Sequence, residues 1–130
     1  MSIEIGLKGR AETTVVESNT AAAVGSGLVP VFATPSMIAL MEQAAAGSLA
    51  SCLEENQGSV GIHIDVTHES ATPIGMKVWA ETEVTEVNGK QITFTVSAYD
   101  EAGLIGRGTH KRALITVDRF LSRAQQKKAQ

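Results

Sequence analysis

The sequence predicts an α+β fold in which one long central helix is wrapped by a curved antiparallel β-sheet. Three observations predict it. Residues 34–56, "TPSMIALMEQAAAGSLASCLEEN", are small or apolar over most of their length and open with helix-start chemistry. From about residue 59 the hydrophobic period changes from helical to two and stays so for the rest of the ordered chain. Turn signals, "TPIG", "NG" and "DEAG", punctuate the alternating runs, which is the pattern of strands joined by tight turns. Such a sheet has one face to cover, and the apolar helix is the cover.

The elements follow in order. "AETTVVES" (11–18) is rich in β-branched residues and reads as a first strand. "NTAAAVGSGLVPV" (19–31) reads as a loop with a short helical turn, flexible at Gly25 and Gly27. Thr34 stands where an N-cap belongs and Pro35 at the favoured first helical position. The helix is expected to run to about Asn56, with Gly58 beyond it as the stop. In "SVGIHIDVTHES", Val60, Ile62, Ile64, Val66 and His68 share one strand face, and Gly61, His63, Asp65 and Thr67 the other, unless a bulge intervenes. The next strand (75–87) places Met76, Val78, Ala80, Thr82 and Val84 together. "QITFTVSAY" places Ile92, Phe94, Val96 and Ala98 together, and "LIGRGTHKRALITV" (104–117) is the last long strand.

The chain has 130 residues, which suits one domain, residues 1–130, with about 121–130 a basic, flexible tail. With 43% hydrophobic and 19% charged residues it reads as a soluble globular protein. The start "MSIEIGLKGR" lacks the apolar core of a signal peptide, and no apolar run is long enough to span a bilayer. A cytoplasmic protein with no membrane partner is expected, and the single cysteine, Cys52, fits that compartment. Net charge is −3, which argues against a nucleic-acid partner. The charge is uneven: residues 1–76 sum to −6 and residues 77–130 to +3, so the second half could receive a small phosphorylated ligand.

Glu42 poses the main chemical question. It sits in the apolar helix, on a stripe with Ile38, Ala45, Ala46 and Leu49, and no Lys or Arg occurs between Arg10 and Lys77. A carboxylate there is expected to be desolvated, which is costly without a compensating partner. His68, ending the strand face that should pack on the helix, is the natural partner to consider. His63 and Asp65 make two metal ligands without a third, so no metal site is expected. His110 is ambiguous between core and surface. There is no nucleophile elbow, P-loop or dinucleotide fingerprint.

The segments "VFATPSMIALMEQAA", "GIHIDVTHESATPIG" and "GRGTHKRALITV", in this order and spacing, resemble the hotdog-fold thioesterases of the fluoroacetyl-CoA thioesterase type. The resemblance extends over nearly the whole chain. It implies a homodimer with active sites at the subunit interface, and a catalytic set that falls on Thr34, Glu42 and His68. It also implies that the backbone of Gly61 helps at the site. The expected activity is hydrolysis of a short acyl-CoA to carboxylate and CoA, with no cofactor beyond the coenzyme A of the substrate. Alternatives left open are a hotdog hydratase or dehydratase, or a non-catalytic acyl-CoA-binding protein. Arg112, with Lys111 or Arg107, is expected to meet the CoA phosphates. The loop 23–32, whose one aromatic is Phe32, should lie over the pocket. Its small apolar bulk predicts no marked preference for a fluorinated acyl group.

Overall fold

The computed structural model describes residues 2–129. In chain order its elements are strand β1 (Lys8–Thr14), a short helix α1 (Ala21–Val24), the long helix α2 (Thr34–Leu49), strands β2 (Gln57–His68), β3 (Lys77–Asn88), β4 (Gln91–Asp100) and β5 (Gly103–Thr116), and helix α3 (Val117–Gln126). The five strands form one antiparallel sheet in the order β1-β3-β4-β5-β2, so β1 and β2 are its edges. α2 crosses the concave face and buries Met37, Leu40, Met41, Ala44, Ala45 and Leu49. They meet Val78, Ala80 and Val84 of β3, Ile92, Phe94, Val96 and Ala98 of β4, and Ile105 of β5. The β3 and β4 faces are the ones the period-two pattern predicted, whereas Ile105 stands at a register irregularity between β4 and β5. Alternation works here because a strand side chain has only two directions to take.

Boundaries moved where side chains capture backbone groups. β1 ends at Thr14 rather than continuing to residue 18, because Asn19 takes over the backbone there. Its Nδ2 donates to Thr14 O at 3.0 Å and its Oδ1 accepts from Val16 N at 2.9 Å. The long helix is shorter than expected, ending at Leu49 with one 3-10 turn at Ala50–Cys52. Asn56, at φ 62°, supplies the left-handed turn residue that Gly58 was expected to supply. Gly58 is already paired with Ile115 in the sheet. Thr34 is the first helical residue and Ala33 the cap, so the Thr34 hydroxyl is not spent on capping. At the chain's end, residues 121–126 continue helix α3.

The tight hairpin at Asn88-Gly89 is present, with Asn88 paired to Gln91 and Gly89 at φ 61°. At the "DEAG" turn Asp100 is buried, accepting Ala102 N at 2.8 Å through Oδ1 and the Thr72 hydroxyl at 2.7 Å through Oδ2. Thr72 O in turn accepts Phe32 N at 2.9 Å, tying the segment before α2 to the β4–β5 corner.

Candidate active site

A β-bulge in β2 decides what faces the helix. The register with β5 shifts between Gly61 and His63, leaving Ile62 as the extra residue. Beyond the bulge, Ile64, Val66 and His68 keep the helix-facing side that alternation gave them. Before it, parity reverses: Gly61 stands opposite Arg112 and Ser59 opposite Leu114, both on the helix side. The expectation that Gly61 faces away is therefore corrected. One extra residue turns the strand over, and the space above Gly61 is filled by the Glu42 carboxylate, with Glu42 Cδ 3.4 Å from where a Cβ would sit.

His68 and Thr34 form one half of the site. Thr34 Oγ1 and His68 Nδ1 are 2.7 Å apart. His68 Nε2 is buried and has no protein partner. Burial pushes the His68 pKa below the ordinary 6.5, opposed by the nearby Ser70 backbone. A neutral imidazole is thus held with one nitrogen on the threonine hydroxyl and the other free for chemistry. The pair opens into a cavity of about 310 Å³ bordered by Val29, Val31 and Phe32 of the loop before α2. Phe32 is buried and forms part of its wall, while Leu28 at the loop tip is 96% exposed.

Glu42 anchors the other half, and its partner is not His68. Arg112 Nη1 donates to Glu42 Oε2 at 3.3 Å, from the last long strand. Arg112 also donates from Nε to Ser59 Oγ at 2.8 Å and from Nη2 to Ser59 O at 3.0 Å. The base that Glu42 lacks nearby in sequence is brought from afar by the sheet. Glu42 is less buried than expected, with 42% of its side chain exposed, because its stripe borders the open β2 edge. A cavity of about 270 Å³ lies beside it, lined by Gly61, Ile62, His63, Ile64 and His110.

The three cations expected at the CoA phosphates occupy different places. Arg112 is buried at the Glu42 carboxylate. Lys111 alternates with it and points to the convex face of the sheet. Arg107 lies 3.3 Å from Glu69. Among the described residues no cluster could hold a metal ion, and no helix is long and apolar enough to cross a membrane.

The same arrangement of helix and sheet occurs in known proteins. The family model described as "Fluoroacetyl-CoA-specific thioesterase" matches residues 15–118. The chain belongs to this family. It is 43% identical over 97 residues to the fluoroacetyl-CoA thioesterase of Streptantibioticus cattleyicolor, covering 75% of this chain and 70% of that protein. The solved structure of the fluoroacetyl-CoA thioesterase FlK superposes with a TM-score of 0.93 at 34% identity, covering 98% of each chain. A thioesterase superfamily member from Thermus thermophilus gives a TM-score of 0.91 at 27% identity, over 98% of this chain and 95% of that one. Membership makes this a hotdog-fold acyl-CoA thioester hydrolase, as the resemblance implied.

Proposed function

We propose that the protein hydrolyses short acyl-CoA thioesters with Thr34, Glu42 and His68 as its catalytic set, completed across a homodimer. The observation that carries the reading is the pair of half-sites on one helix. Thr34–His68 and Glu42–Gly61 are separated by eight residues of α2, about 12 Å along its axis, too far for joint action on one carbonyl. A second copy removes the separation. β2 is a 12-residue edge with Ile62 and Ile64 exposed, 47% and 37%, a strand suited to pairing with its own copy. Antiparallel β2–β2 pairing about a two-fold axis sets the two α2 helices antiparallel. Glu42 of one protomer then approaches the partner's Thr34 and His68.

In the assembled site Glu42 acts on the thioester carbonyl, as general base on water or as a nucleophile through an anhydride that water then cleaves. His68, neutral and with Nε2 free, carries the proton towards the departing CoA sulfur. Thr34 fixes the ring through Nδ1. The Gly61 N–H, beside the carboxylate, is a donor for the oxyanion. The loop with Gly25, Ser26 and Gly27 covers the acyl end with little apolar bulk, which suits short acyl groups in general. CoA is substrate, and the reaction uses no other organic group.

A panel of short acyl-CoAs with a thiol reagent tests the reading. Thiol release is expected; acyl modification without release would mean a hydratase, and ligand-dependent melting alone a binder. Glu42→Gln should keep the fold and lose most turnover, and near wild-type kcat would remove Glu42 from the mechanism. Sedimentation should give at least a dimer at assay concentration, and a fully active monomer would refute the shared site.

A further inference from the structure

We infer that His110 is a positioning residue for this hydrolysis, holding Arg112 against Glu42 as a neutral ring with its proton on Nδ1. His110 lies on β5, 1% exposed, opposite Phe94 on one side and Ile64 on the other. Its ring stacks on Phe94 with centroids 6.0 Å apart at 28°. Nδ1 is 2.8 Å from the His63 carbonyl. A carbonyl only accepts, so Nδ1 carries the proton. Nε2 is 3.2 Å from Arg112 Nη1, and a guanidinium only donates, so Nε2 offers its lone pair. Both neighbours therefore demand the same tautomer.

The consequence reaches Glu42. Arg112 Nη1 is shared between Glu42 Oε2 at 3.3 Å and His110 Nε2 at 3.2 Å, while Nε and Nη2 are fixed on Ser59. Every nitrogen of the buried guanidinium is thus engaged, which holds its fork against the carboxylate. His110 Nε2 itself is 3.9 Å from Glu42 Oε2, beyond hydrogen-bond reach, so its influence passes through Arg112. The His63 carbonyl belongs to the bulge that turns Gly61 towards Glu42. One backbone irregularity thereby sets both the space for the carboxylate and the cation that holds it.

The charged and titratable groups facing the ring are Arg112, Glu42 and His63. Burial, joined by Arg112, holds the His110 pKa below 6.5 against the opposing His63 carbonyl and Glu42. A protonated ring would set an N–H against the guanidinium and release it. The lock is therefore closed at neutral pH and opens on acidification.

This inference rests on the reading of Glu42 as the catalytic carboxylate, and the test separates the two. His110→Phe keeps the stack on Phe94 and removes the acceptor. It should lower kcat by ~10- to 10²-fold, the range a displacement of about 1 Å produces, with KM little changed. His110→Gln, which can donate and accept in the same directions, should recover part of the loss. Arg112→Met combined with His110→Phe should be no slower than Arg112→Met alone, since the two act in one chain. In the wild type, nitrogen NMR should find the His110 proton on Nδ1 at neutral pH, a result that needs no variant to fold. A proton on Nε2, multiplying losses in the double variant, or full kcat in folded His110→Phe would overturn the proposal. If Glu42→Gln is inactive while His110→Phe is not, His110 alone is misread. If Glu42→Gln keeps its turnover, the reading of Glu42 falls and this one with it.

Discussion

Gly61→Ala displaces the carboxylate proposed to be catalytic. A Cβ there would land on Glu42 Oε2, 3.4 Å from Glu42 Cδ and 3.1 Å from His110 Cε1. Ordinary carbon contacts need roughly 3.5 Å, so the carboxylate must retreat by about 1 Å and leave Arg112. The fold has little reason to object. Gly61 is not among the glycines with positive φ, so alanine fits the backbone and loses less freedom on folding. The group most in the way is the far end of a half-exposed side chain, while the buried His110 ring must yield by a few tenths of an ångström. Stability should therefore fall by only about 1 kcal/mol, while kcat falls ~10²-fold, equivalent to about 2.7 kcal/mol at the transition state. The assay is thiol release from a short acyl-CoA, beside a thermal melt. Gly108→Ala is the control, because its Cβ would meet Asp65 O and lie 2.7 Å from Val66 Cα, backbone that cannot yield. That variant should lose about 1–3 kcal/mol of stability. Wild-type kcat in a folded Gly61→Ala enzyme would refute the placement of Glu42 over Gly61 at the reacting centre.

Further outcomes are expected. His68→Ala should lower kcat more than it weakens acyl-CoA binding, since in the proposed site His68 acts on the reacting group; a pure KM effect would leave it only a wall of the pocket. Folding stability should be constant above the ordinary histidine value of 6.5 and decline below it, because His68 and His110 are both held below that value. The sign follows from proton counting: the unfolded chain binds these protons first, so acid favours unfolding as pH passes through the folded values. Urea midpoints across this range check it, and flat midpoints would mean that neither ring is depressed. Among acetyl-, fluoroacetyl- and butyryl-CoA, kcat/KM should show no marked fluorinated preference. A preference above roughly a thousandfold, about 4 kcal/mol, would show that the loop at Leu28 and Val29 discriminates strongly.

The sequence by itself determined the helix-on-sheet architecture, the inward faces of β3 and β4, and the interest of Glu42 and His68, while Thr34 entered through the family resemblance. Those features are local or periodic: apolar residues at helical or alternate spacing have few ways to be buried together. Glu42 was conspicuous because a carboxylate in an apolar helix must find compensation. Where that compensation comes from was beyond the sequence. Arg112 is 70 positions away, and only the β2–β5 register sets it opposite Gly61. That register depends on a bulge at Ile62, one unpaired residue that leaves no periodic trace and reverses the side on which Gly61 and Ser59 lie. The pairing of His68 with Thr34 instead of Glu42 was likewise decided by how far along α2 the end of β2 falls. His110 shows the same division. Its alternation with Arg112 placed both on one face of β5, but its tautomer was fixed only when the tertiary structure set a carbonyl on one nitrogen and a guanidinium on the other.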